Sequence, residues 1–244
     1  MTDFVLVHGG WHGAWCWDLL GAELTARGHE VIAVDLPAGD PTAGAAEYAE
    51  AVLAALPNPG PAGSAPPLEE PEQGLRAAGE DLVLVGHSLG GLTVPVVAER
   101  HPVRHLVLLA AMLPEPGVSV DDRARAGERQ TRRGLGRDLT AREDGSTVWD
   151  PDAAVARLYP DSPPEQARAA AARLRPQHFR VTAEPSPLTA WPDVPTTYVL
   201  CTEDQVIDTD WARAHARGRL VELPGDHSPF LARPVALADL LTTL

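Results

Sequence analysis

An apolar run that ends on a glycine-bounded serine constrains this chain more than any other feature: Val83-Leu84-Val85-Gly86-His87-Ser88-Leu89-Gly90-Gly91. A strand passing directly into G-x-S-x-G and then into a helix must reverse within a few residues, and small residues at Gly86 and Gly90 let the backbone through. Ser88 is thereby expected on a tight strand-to-helix turn with its hydroxyl standing clear, the posture of a nucleophile. Short glycine-serine patterns also arise by chance, so this reading depends on a matching strand, helix and two later partner residues.

The rest of the chain supplies that context. Short apolar runs near 3–8, 30–35, 81–86, 104–110, 196–202 and 219–223 read as strands. Helical patterns fall near 14–27, 44–56, 89–101, 209–217 and 234–243. Apolar runs alternating with helical segments predict an α/β fold, a doubly wound, mainly parallel six-stranded sheet. Two stretches break the rhythm. Residues 57–73 are rich in proline and glycine and read as a surface excursion, while 113–190 carries alanine-rich and charged helical stretches and no convincing strand. The expected organisation is one core domain from 1–112 and 191–244, interrupted by a helical cap at 113–190.

Composition narrows the function. The chain has 244 residues, 44% of them hydrophobic, enough for one substantial core. A net charge of -14 argues against a nucleic acid or an anionic membrane as partner, because both require a basic face. All 20 basic residues are arginines, the composition of a high-GC genome, and the absence of lysine excludes Schiff-base, pyridoxal-phosphate and Walker-type chemistry. Two cysteines, Cys16 and Cys201, imply no disulfide framework and fit a reducing compartment. Neither a leader peptide nor a membrane span is read in the sequence, and a cytoplasmic protein, monomer or homodimer, is expected.

In an open parallel sheet the site forms at the carboxyl ends of the strands. Those ends carry His8-Gly9-Gly10-Trp11, then Ser88, then Thr202-Glu203-Asp204, then Gly225-Asp226-His227. The order serine, acid, histidine is the one this architecture uses. Ser88 needs a general base, and of the histidines beyond the acid, His227 follows a strand directly whereas His215 lies within a helical stretch. Glu203, Asp204 and Asp208 can each orient that histidine, with Asp204 favoured one short loop step past the strand. The backbone N–H groups of Leu89 and Gly10 are the candidate oxyanion donors.

Phe4 to Trp17 (FVLVHGGWHGAWCW), Gly28-His29-Glu30-Val31 with Asp35-Leu36, the Gly86–Gly91 elbow, Tyr198 to Asp204 (YVLCTED) and Gly225-Asp226-His227 together resemble the α/β-hydrolase superfamily. The resemblance is narrower still to the branch holding plant methyl-ester esterases, such as the salicylate-binding methylesterase, and plant hydroxynitrile lyases. It covers nearly the whole sheet, fades through the cap, and implies the same residues: Ser88, Asp204 and His227 as triad, Gly10 and Leu89 as oxyanion hole. The lyases of that branch carry a threonine after the first-strand histidine and a lysine after the catalytic histidine. Here those positions are Gly9 and Ser228.

The expected activity is hydrolysis of a carboxylic ester of a small aromatic or hydrophobic molecule through an acyl-enzyme, with no metal or organic cofactor. Gly9, Trp11, His12, His87, Met112, Leu113, Trp149, Tyr159 and Phe179 are candidates for the substrate pocket, with packing as the alternative for His87, Met112, Leu113, Trp149, Tyr159 and Phe179 and bracing of the loop by hydrogen bonding for His12. Two other readings keep the scaffold: lyase, cyclase or acyl-transfer chemistry on the same triad, and ligand binding without catalysis.

Overall fold

The computed structural model describes residues 2–56 and 81–244. The proline-rich excursion expected at 57–73 lies outside those residues. Six strands form one sheet: β1 (Asp3–Val7), β2 (Glu30–Val34), β3 (Leu82–His87), β4 (His105–Leu109), β7 (Thr196–Cys201) and β8 (Arg219–Leu223). They lie in the order β2-β1-β3-β4-β7-β8, every pair parallel. The side on which successive strands are added reverses between β1 and β3, whose register pairs Val7 with Gly86. A crevice at such a switch point is where open α/β sheets hold ligands.

Burial follows from position in the sheet. Central β3 and β7 are buried at every residue, as strands covered on both faces must be, whereas edge strands β2 and β8 are partly exposed. Alternate residues of a strand point to opposite faces, so Val5 and Val7 join one core while Phe4 and Leu6 join the other. Tyr48 and Val52 of α2 (Ala45–Ala55), Val94 and Val97 of α3 (Val94–Arg100) and Trp211 of α8 (Thr209–His215) close the first. Leu20 and Leu24 of α1 (Asp18–Ala26) and Leu237 and Leu241 of α10 (Pro234–Leu241) close the second.

The helix expected at 89–101 is two pieces. Ser88–Leu92 is a 3-10 turn, and α3 begins only at Val94 with Pro95 in its first turn, where the missing N–H costs nothing.

The segment between β4 and β7 holds α4 (Val120–Arg125), α5 (Pro151–Leu158), α6 (Pro164–Ala172) and α7 (Arg180–Ala183). It also holds a hairpin, β5 (Leu139–Ala141) against β6 (Thr147–Trp149), antiparallel, which corrects the expectation of no strand in 113–190. Strands of three residues are too short to show alternation, and their only local signal is the turn pair Asp144-Gly145, the glycine at φ 82°. Ala154, Leu158, Tyr159, Ala167 and Ala170 build a third core around Trp11. That tryptophan joins the segment to the loop after β1.

Candidate active site

Ser88 has φ 51°, a left-handed conformation that costs a non-glycine residue about 1–3 kcal/mol and persists where the surroundings over-determine it. Two glycines make the bend sterically feasible. A Cβ on Gly86 would stand 2.6 Å from Val94 Cγ2, and one on Gly90 would stand 2.7 Å from the His8 carbonyl oxygen. The Ser88 carbonyl accepts the Met112 N–H over 2.9 Å, tying the elbow to the loop after β4. Ser88 borders a cavity of about 180 Å³, and its hydroxyl makes no hydrogen bond to another described residue.

His227 follows β8 and donates from Nδ1 to Asp204 Oδ2 over 2.8 Å. The other carboxylate oxygen of Asp204 accepts the N–H groups of Val206 (2.7 Å) and Ile207 (3.0 Å), and Arg132 Nε donates to its backbone carbonyl over 2.6 Å. The alternatives are placed elsewhere. Glu203 is exposed, Asp208 caps α8, and His215 donates to the Trp211 carbonyl within that helix. Asp226 exchanges backbone contacts with Asp161 and accepts the Ser228 N–H, so it shapes the histidine loop, and burial raises its pKa.

Three further histidines brace this edge of the sheet. His87 Nε2 donates to the His227 carbonyl over 2.9 Å, with the two rings 4.6 Å apart. His8 Nδ1 donates to the Gly9 carbonyl (2.8 Å) while its Nε2 accepts the Leu36 N–H. His12 Nδ1 donates to the Gly10 carbonyl (2.9 Å), and its Nε2 accepts the Tyr159 hydroxyl (2.7 Å). Each ring nitrogen that faces a carbonyl must carry the proton, so the tautomers are set by their partners. Burial lowers His8 to about 4, His12 to about 3 and His87 well below the ordinary 6.5, keeping all three neutral.

Of the expected pocket residues, Trp11, Met112 and Phe179 border the cavity, together with Gly10 and Leu89. Gly9, His12, His87, Leu113, Trp149 and Tyr159 do not. Gly9 lies against the elbow, where a Cβ would be 2.7 Å from Ser88 Cβ. His12 and Tyr159 bond each other behind the loop, and Trp149 sits edge-on behind Trp11. Both backbone groups of Leu113 are taken by the Gln130 side chain (2.7 and 2.9 Å). The remaining wall, including Val120, Leu135, Leu139, Val206 and Ile207, comes from residues the sequence did not single out. Gln130 and Arg132 were missed too, because their partners are distant in sequence and no motif surrounds them.

Cys16 and Cys201 are free and buried, and burial pushes both thiols up. Among the described residues no group of three or more histidine, cysteine or acidic side chains is placed to hold a metal ion. None of their helices is long and apolar enough to cross a membrane.

A wholly parallel sheet with a strained serine elbow at β3 and an acid–histidine pair after β7 and β8 defines a fold class. Residues 4–240 match the model of the alpha/beta hydrolase family, and the chain belongs to that family. It is 29% identical to methyl jasmonate esterase 1 of Vitis vinifera, over 98% of this chain and 94% of the relative. Esterase PIR7B of Oryza sativa is 32% identical, covering 98% of this chain and 93% of its own. A solved pyrethroid hydrolase from Sphingobium faniae superposes with a TM-score of 0.78 at 25% identity, covering 99% of this chain and 96% of that one.

Proposed function

We propose that this chain is a serine esterase cleaving a carboxylic ester of a small aromatic or hydrophobic molecule. The observation that carries the reading is Ser88: a strained, cavity-facing serine on the elbow, at the same sheet edge as the buried His227–Asp204 pair. Ser88 Oγ attacks the ester carbonyl while His227 Nε2 takes its proton. Asp204 holds the ring in the tautomer that leaves Nε2 free to do so and stabilises the imidazolium. The oxyanion rests on the N–H groups of Gly10 and Leu89, which border the same cavity as Ser88. His227 returns the proton to the departing alcohol, and water repeats the cycle on the acyl-enzyme.

The relatives support the ester bond as the target, since methyl jasmonate esterase and esterase PIR7B are named for it. The cavity supports the size class: a volume of about 180 Å³ walled by Trp11, Met112, Leu135, Leu139 and Phe179 suits a ring or a short acyl chain. Segment 113–190 acts as the cap over that cavity. Cyanohydrin cleavage is disfavoured by Gly9, where the elbow leaves no room for a side chain, and by a serine at 228 in a chain with no lysine.

Turnover of 4-nitrophenyl acetate by the wild type and by Ser88→Ala tests the reading. Hydrolysis by the wild type alone is expected. Equal turnover by both, or none by either across a panel of aryl and methyl esters, would sink it.

A further inference from the structure

We infer that Gln177, a residue of the segment between β4 and β7, is a positioning residue that sets the oxyanion loop. This rests on the esterase reading and assigns a role within that site. The peptide joining Gly10 to Trp11 is gripped at both ends. Its carbonyl accepts from His12 Nδ1, and its N–H donates to Gln177 Oε1 over 3.1 Å. The peptide before it, which carries the Gly10 N–H, has its carbonyl held by His8. What orients Gly10 is therefore a pair of neighbouring peptides with fixed planes.

The grip on the second peptide comes from outside the sheet. Gln177 is buried to 1% exposure, and its Nε2 donates to the Tyr48 hydroxyl (2.9 Å) and the His178 carbonyl (2.5 Å). The His178 carbonyl can only accept, so the amide nitrogen lies on that side and Oε1 faces Trp11. The Gln177 backbone in turn exchanges hydrogen bonds with Thr147 of β6, whose hydroxyl takes the Trp11 indole N–H. On the carbonyl side, His12 Nε2 accepts from the hydroxyl of Tyr159, which directly follows α5 and anchors the ring.

Strain shows why a clamp is needed. Trp11 has φ 62°, a conformation that a bulky residue relaxes from unless held. Without an acceptor at 177 the buried Trp11 N–H is unpaired, and the peptide gains by rotating toward a new partner. That rotation turns at Gly10, which borders the cavity, and pulls on the adjoining peptide that carries the Gly10 N–H. A donor misplaced by a fraction of its length loses charge stabilisation in the transition state while ground-state binding is untouched.

The test uses Gln177→Met, which keeps the bulk and removes both the acceptor and the amide donor, and Gln177→Glu, whose buried carboxyl is held protonated by desolvation, so that its O–H meets the His178 carbonyl while its other oxygen accepts from Trp11. Each is assayed on 4-nitrophenyl acetate and titrated with phenylboronic acid, whose tetrahedral adduct on Ser88 places an oxygen in the oxyanion hole. Gln177→Met is expected to lower kcat by about 10- to 100-fold with KM unchanged, and to weaken the boronic acid in parallel. Gln177→Glu is expected to recover much of both. Tyr159→Phe, acting through His12, should move the same two readouts in the same direction, and it serves where the methionine variant does not fold. Wild-type kcat and boronic-acid affinity in the variants, or a loss confined to KM, would overturn the role of Gln177. If the wild type binds boronic acid through Ser88 yet hydrolyses no ester, the esterase reading fails and boronic-acid affinity alone decides the clamp; if it binds none, both fail.

Discussion

His227 Nδ1 lies 2.8 Å from Asp204 Oδ2, between two side chains that are 1% and 2% exposed. Val206 and Ile207 occupy the second oxygen of Asp204, so the carboxylate can meet the ring in only one way. Asp204→Asn presents an amide where an acceptor is needed and favours the wrong tautomer. It is expected to lower kcat by about 10⁴. Glu203→Gln, at an exposed position, should leave kcat unchanged. Steady-state rates of the two variants decide the matter, and a loss confined to the Glu203 variant would reassign the acid.

The elbow stores strain at Ser88 that only glycine avoids. Ser88→Gly and Ser88→Ala both remove the hydroxyl and should both be inactive, but they differ in what the backbone tolerates. The glycine variant is expected to melt about 2–4 °C above the alanine variant, the shift that about 1 kcal/mol produces in a domain of this size. Calorimetry in one buffer reads the difference, and an alanine variant that melts higher would mean the φ 51° conformation is not strained.

Acid should destabilise the fold before its carboxylates titrate. His8, His12 and His87 are held neutral by burial, at about 4, about 3 and well below 6.5, against 6.5 when unfolded. The unfolded chain therefore binds more protons below pH 6.5, and these residues' contribution to stability is whole above pH 6.5 and shrinks as pH falls toward 4. Urea midpoints measured from pH 7.5 down to 5 should decline, with a shallower decline in His8→Asn. A flat profile would show that these histidines take up protons without unfolding.

The apolar wall should set acyl size. Leu139, on the short β5 strand, borders the cavity, and Leu139→Trp fills part of it. Relative to the wild type, kcat/KM for 4-nitrophenyl octanoate is expected to fall by about tenfold or more while the acetate ester is spared. Equal losses on both would place the acyl chain elsewhere.

What the sequence reveals is set by how local each signal is. Each strand of the sheet is an apolar run closed by glycine or a polar turn, so β1, β3, β7 and β8 and the residues at their ends can be read one after another. The Gly86-to-Gly90 spacing even announces the bend, although the atoms that demand glycine there, Val94 Cγ2 and the His8 carbonyl oxygen, lie outside it. The β5–β6 hairpin escapes because three-residue strands show no period. Aromatic residues of the segment are visible as candidates, yet nothing local says that Phe179 faces the cavity while Trp149 and Tyr159 face away. Gln177, Gln130 and Arg132 reach backbone groups 17 to 166 residues away through hydrogen bonds. Such contacts leave no pattern in one chain.

Covalent capture of Ser88 is the most direct measurement. The protein is exposed to a fluorophosphonate, its intact mass is recorded, and the modified peptide is mapped. One adduct per chain is expected, on the peptide bearing Ser88, absent from Ser88→Ala and strongly slowed in His227→Gln. An adduct that persists in Ser88→Ala, or that forms at the wild-type rate in His227→Gln, would contradict a nucleophilic Ser88 activated by His227.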